Sequence, residues 1–184
     1  MKHFRCLRQF SIACFIFLAL PCTSVAYALD REYVIKAVFL YNFLNYIKWP
    51  DTQNISGIPK VKLCIVGRDP FGSALTALKK KVSANWDLEI AHIAIDQPLP
   101  EPSCRIVFIS HLEPKHITIN KSLSSVGVLT VSDIEGFAKN TGIIELVKRK
   151  DKIKLIINAD RLKQAKLNAS SKLMKISEIV ESEK

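Results

Sequence analysis

Past its first 28 residues the chain is poor in reactive groups. Of five cysteines only Cys64 and Cys104 remain, and of four histidines only His92, His111 and His116. No G-x-S-x-G, S-x-x-K, G-x-G-x-x-G or H-E-x-x-H pattern occurs. That excludes the serine elbow, the serine–lysine pair, the dinucleotide loop and the zinc-binding helix as sources of chemistry. His111 and His116 stand five apart with Glu113 between them. That spacing does not put two imidazoles on one helical face, so a loop or helix start explains them better than a metal site. Ser132 and Asp133 read as a cap before a short helix, which leaves Asp133 and Glu135 without a catalytic role. No cofactor is expected, and an enzyme is the weaker reading. The chain also lacks internal repeats, linkers and any later apolar run long enough to span a bilayer.

What is present at the start is an export pattern. Lys2, Arg5 and Arg8 precede an apolar run from Phe10 to Leu20, and Ala26-Tyr27-Ala28 follows. A positive segment, a short apolar core and an A-x-A site are the marks of a secretory signal peptide, residues 1–28. Cys22 raises a lipoprotein reading, but Pro21 before it blocks the cleavage geometry. The mature domain is therefore expected over 29–184, a length suited to one core. Its charge falls from the formal +10 of the whole chain to +7 once Lys2, Arg5 and Arg8 are removed. An exported basic protein without a nucleic-acid motif points to acidic protein surfaces or anionic headgroups, or simply to solvated faces, and not to nucleic acid.

Export also gives the cysteines a meaning. In an oxidising compartment Cys64 and Cys104 are read as a disulfide before they are read as a metal or catalytic pair. Closing that loop is worth about 4 kcal/mol in the chain-entropy picture. A redox-sensing role for the same bond stays open.

Periodicity places the elements. Asp30 to Trp49 reads as a helix capped by Asp30 and stopped by Pro50, with Val34, Ala37, Val38, Tyr41, Leu44 and Ile47 as its apolar stripe. Phe39, Leu40 and Phe43 lie off that stripe, so the helix is buried between layers or contributes to an interface. Val61 to Val66 is a strand. Gly67 to Gly72 has the glycine spacing of a phosphate loop, but Ser73 and Ala74 stand where its Lys and Ser/Thr belong. Asp69 as cap with Pro70 at the first helical position explains these residues as a helix start running to about Lys81. Strands follow at Leu88 to Ile95, Arg105 to Ile109 and Val126 to Val131, with a helix over Glu113 to Ser125 between the last two. Gly142 to Val147 and Ile153 to Ile157 flank Lys148-Arg149-Lys150-Asp151-Lys152 as a hairpin. A final helix, broken near Asn168, carries Leu162, Ala165, Leu167, Leu173, Ile176 and Val180. The order implies an α/β layered domain with a largely parallel, mixed sheet, flanked by helices and closed by a C-terminal hairpin and helix.

Read together, these segments resemble the YfiR-like family of periplasmic proteins. The resemblance runs through Lys36-Ala37-Val38-Phe39-Leu40-Tyr41-Asn42-Phe43, Tyr46-Ile47-Lys48-Trp49-Pro50, Leu63 to Gly72, Cys104 to Ser110, Val128 to Asp133 with Phe137, Gly142 to Leu146, Ile157-Asn158 and Ser170 to Ile176. It implies a periplasmic repressor without catalysis, binding the periplasmic sensor region of an inner-membrane diguanylate cyclase and lowering cyclic di-GMP and biofilm formation. It also implies dimers, and an OmpA-like outer-membrane lipoprotein that can sequester the repressor. Cys64 and Cys104 correspond to the family's first cysteine pair. The second pair carried by some members has no counterpart here, and Asn140-Thr141-Gly142 replaces a more usual glycine pair. Phe39 and Phe43 on the first helix, and Leu173 on the last, are the expected partner surface. The alternative is a small-solute-binding module using the Gly67 to Gly72 loop and Ser110-His111 at the carboxyl ends of parallel strands.

Overall fold

A computed structural model describes residues 24–50, 58–81, 86–94, 97, 104–112 and 125–182. Most of the expected leader, His116 and all but the last residue of the helix expected over Glu113 to Ser125 lie outside the described residues.

The apolar first segment forms helix α1, Ser24–Tyr46, followed by a two-residue strand β1, Ile47–Lys48. In the full chain the helix is already under way at Asp30. Its end falls before Pro50, as a residue lacking an amide donor requires. Next come β2 (Lys60–Val66), α2 (Ser73–Lys81), β3 (Asp87–Ile93), β4 (Cys104–Ile109) and β5 (Leu129–Ser132). The short α3 (Phe137–Asn140) leads to the hairpin strands β6 (Ile144–Arg149) and β7 (Lys152–Asn158). The C-terminal region is not one broken helix. It divides into α4 (Ala159–Gln164), β8 (Asn168–Ala169), α5 (Ser171–Ile176) and β9 (Glu178–Val180). Asn158 caps α4 by accepting from the Arg161 amide, and Ser170 caps α5 by accepting from the Leu173 amide.

Among the described residues the main sheet has seven strands in the order β3-β2-β4-β5-β6-β7-β9. Strands β3 to β6 run parallel to their neighbours, β7 is antiparallel to β6, and β9 is parallel to β7. The sheet is thus mixed and largely parallel. A separate antiparallel pair, β1 with β8, ties the end of α1 to the link between α4 and α5.

The central strands β2, β4 and β5 are buried on both faces, as parallel strands demand. The larger core joins Leu63, Ile65, Ile106, Phe108, Leu129, Val131, Ile144, Leu146, Leu155 and Ile157 to residues of α1, α2, α4 and α5. The smaller one holds Cys64, Val66, Val107, Ile109 and Phe137 on the opposite face. Alternation alone would send Cys104 to the face of Ile106, away from Cys64. A register shift between Lys62 and Leu63 prevents this: Cys104 lies opposite Lys62 while Ile106 lies opposite Leu63, so Arg105 is the extra residue. A one-residue insertion flips the side chains beyond it to the other face. Cys104 is thereby brought beside Cys64, and the two form a disulfide with Cα atoms 5.8 Å apart.

Asp69 and Pro70 are not the first residues of α2, which starts later at Ser73. Instead Asp69 Oδ1 accepts from the Phe71 amide at 2.7 Å, a turn that aims Phe71 inward. The Phe71 ring is 4.7 Å from that of Phe108 and 5.5 Å from that of Tyr33.

Candidate functional site

The buried stripe of α1 is Tyr33, Lys36, Ala37, Leu40, Phe43 and Leu44, and Ile47 of β1 continues it. Relative to the stripe expected from apolar spacing it is turned by one residue, about 100° of helix. The reason is Lys36, a charged residue inside the true stripe. Val34 and Val38, expected inside, are 44 % and 42 % exposed, and Ile35 is 38 % exposed. Phe43 and Leu173, expected on a partner surface, are both in the core, and Phe39 is half-buried against it. The correction follows from the rotation: apolar residues off the expected stripe are those facing the sheet.

Lys36 is buried because a carboxylate meets it. Its Nζ donates to Asp133 Oδ2 at 2.9 Å and also pairs with Glu32 one turn earlier. Asp133 stands at the carboxyl end of β5 and is not a helix cap: α3 begins at Phe137, after Gly136. Tyr33 donates its hydroxyl to the same Oδ2 at 2.8 Å, and the His111 amide donates to Oδ1 at 2.7 Å. His111 Nδ1 lies 2.9 Å from Oδ2. An ionised carboxylate only accepts, so this bond places a ring proton on Nδ1.

The charges suit this geometry. Burial by itself pushes the Asp133 carboxyl up, but the Lys36 charge and the hydrogen bonds from Lys36 and His111 together hold it below the ordinary carboxylate range. Burial, followed by the adjoining Asp133 charge, raises the Tyr33 phenol far above its ordinary value, so it stays a donor. Removing either charge of such a pair leaves the other stranded in low dielectric. The cluster therefore fixes the angle and register of α1 on the strand ends.

Sequence reasoning noted Asp133 and His111 separately and missed Tyr33 and Lys36. The signal available was a lysine spaced three and four residues from Tyr33 and Leu40, on what would otherwise be a clean apolar face.

Ser110 and His111 do follow β4 at the point where the strand order reverses, between β2 and β4. Phe71 is buried there with Tyr33 and Phe108, so the inward side of the Gly67 to Gly72 loop is packed with aromatic rings. The apolar gap between α1 and α2, lined by Leu40, Leu44, Leu75 and Leu78 among others, measures about 10 Å³, room for one water at most. Asp69 Oδ2 and His92 Nε2 pair at 2.8 Å on the outer rim. No helix among the described residues is long and apolar enough to cross a membrane.

Residues 33–178 match a protein family described as YfiR/HmsC-like. The chain belongs to that family. No curated protein matches it. The stretch shared with YfiR/HmsC-like proteins opens at Tyr33, the first residue of the buried cluster, and closes at Glu178, where β9 begins. It therefore contains Lys36, His111 and Asp133, the cysteines Cys64 and Cys104, and every strand of the main sheet except most of β9.

Proposed function

We propose that the protein is a periplasmic, non-catalytic repressor that binds the periplasmic sensor region of an inner-membrane diguanylate cyclase and lowers cyclic di-GMP synthesis. Membership of the YfiR/HmsC-like family over 33–178 carries this reading. The export pattern of residues 1–28 and the Cys64–Cys104 disulfide agree with it, because such bonds persist in oxidising compartments.

A repressor of this kind acts by binding one conformation of its partner better than the other, since only differential affinity moves an equilibrium. The surface offered is the ridge Val34, Ile35 and Val38 on the outer side of α1. The lysine–aspartate cluster on the inner side sets the helix rotation that presents it. An OmpA-like outer-membrane lipoprotein that sequesters the repressor, and a homodimer as its working form, complete the proposal. Cyclic di-GMP measured with and without the gene tests it: deletion is expected to raise the level, and an unchanged level overturns the reading.

A further inference from the structure

Part of the basic run at the β6–β7 hairpin is paired in the fold. Around the hairpin tip, Lys148 lies 3.8 Å from Glu32, Arg149 is 2.6 Å from Glu135, and Lys154 is 3.2 Å from Glu178. Asp151 stands beside Lys150 and Lys152. A cluster of exposed lysines without counter-ions lies on the unit formed by α4, β8 and α5.

Lys163, Lys166, Lys172 and Lys175 are exposed on this unit, and none of them has an ion pair among the described residues. The β1–β8 ladder sets Lys48 directly opposite Asn168, so a fifth exposed lysine from the far end of α1 joins the other four. The one carboxylate of the unit, Asp160, accepts from the Ser182 amide. Lys166 holds φ 54 after α4, a left-handed position that glycine or asparagine normally takes. A lysine there trades local backbone preference for charge.

Next to Lys175 in α5 is Ile176, at 67 % the most exposed large apolar side chain described, and Ile179 of β9 is 44 % exposed. Helix α5 buries only Leu173 fully and turns Lys172, Lys175 and Ile176 outward. Long ammonium side chains around an exposed isoleucine suit a surface that is anionic in its outer layer and apolar just beneath. An acidic protein face would supply the charge but not the apolar layer under it.

We infer that the α4–β8–α5 unit is a docking surface for anionic phospholipid headgroups, with Lys48, Lys163, Lys166, Lys172 and Lys175 at the phosphate level and Ile176 inserted between them. This goes beyond the repressor reading and does not depend on it, since lipid binding is measured without any partner protein. Such docking confines the protein to a bilayer surface and raises its concentration near membrane-bound partners.

The purified chain should co-sediment with vesicles of phosphatidylcholine mixed with phosphatidylglycerol, not with phosphatidylcholine alone, and the association should fade as salt is raised. Each lysine near an anionic surface contributes roughly fivefold in affinity, so Lys172→Ala with Lys175→Ala should weaken binding about thirtyfold. Ile176→Ser should weaken it severalfold at unchanged charge. Lys60→Ala with Lys79→Ala, on exposed positions of β2 and α2, should leave it unchanged; thermal melting checks that every variant is folded. Failure to bind anionic vesicles, equal binding to both vesicle types, or equal losses from the two lysine pairs overturns the inference.

Discussion

Lys36 and Asp133, 97 residues apart in the chain, meet at 2.9 Å with side chains 2 % and 0 % exposed. The pair links the first helix to the carboxyl end of a central strand, and several expectations follow from its burial.

Replacing Lys36 with Met strands the Asp133 carboxylate and should lower stability by about 3 to 5 kcal/mol in urea unfolding. Lys36→Met combined with Asp133→Leu should cost less than the sum of the single changes, because neither partner is then left uncompensated. Additive losses would show that the two residues act independently.

The same cluster sets the pH response. Asp133 has a depressed pKa in the folded protein, so its contribution is present above the unfolded carboxylate value of about 3.9 and is lost as pH falls below it. Tyr33 has a raised pKa, so its contribution is present below the unfolded phenol value of about 10 and is lost as pH rises above it. Wild type should therefore lose stability at both extremes. Tyr33→Phe should flatten the alkaline limb, and Asp133→Asn the acid limb, in unfolding midpoints followed against pH.

Reducing the Cys64–Cys104 bond, or replacing both residues with Ser, should lower stability by about 2 to 4 kcal/mol without changing the far-ultraviolet spectrum. Thiol titration of the unreduced chain in denaturant should find neither cysteine free. A reactive thiol at either position would contradict the pairing.

Gly142 lies against Phe137, and a Cβ there would sit 1.9 Å from the Phe137 ring. Gly142→Ala should thus displace a buried ring and cost about 1 to 3 kcal/mol. Phe137→Leu in the same background should recover part of that loss.

On the proposed partner face, Val38→Glu should raise cyclic di-GMP in cells while the melting temperature stays near wild type, because Val38 lies on the exposed side of α1 at 42 % exposure. Phe43→Glu should unfold the protein, since it buries a charge in the core. Normal repression by Val38→Glu would remove α1 from the interface.

Much of the fold was legible because parallel strands announce themselves as apolar runs: Val61 to Val66, Arg105 to Ile109 and the hairpin strands all fall within a few residues of their expected places. The candidate site was less so. The stripe of α1 was misread by one residue because Lys36 looks like a surface residue until Asp133 is placed beside it. Asp133 looked like a cap because Ser132-Asp133 does precede a short helix, yet three residues intervene before α3 starts. The break near Asn168 was visible, but its conversion into β8 depends on β1 alongside, a pairing over more than a hundred residues that local spacing cannot carry. The bulge at Arg105 that lets Cys64 and Cys104 meet is equally non-local.

Strand β9 covers the outer edge of β7 with only three paired residues, all of them partly or fully exposed. Proteolytic trimming between α5 and β9 would strip that cover and bare the backbone donors and acceptors of Ile156 to Asn158. A monomer clipped in this way becomes a template for strand-to-strand oligomers, so gel mobility after brief storage is a sensitive report on whether the last few residues are still attached.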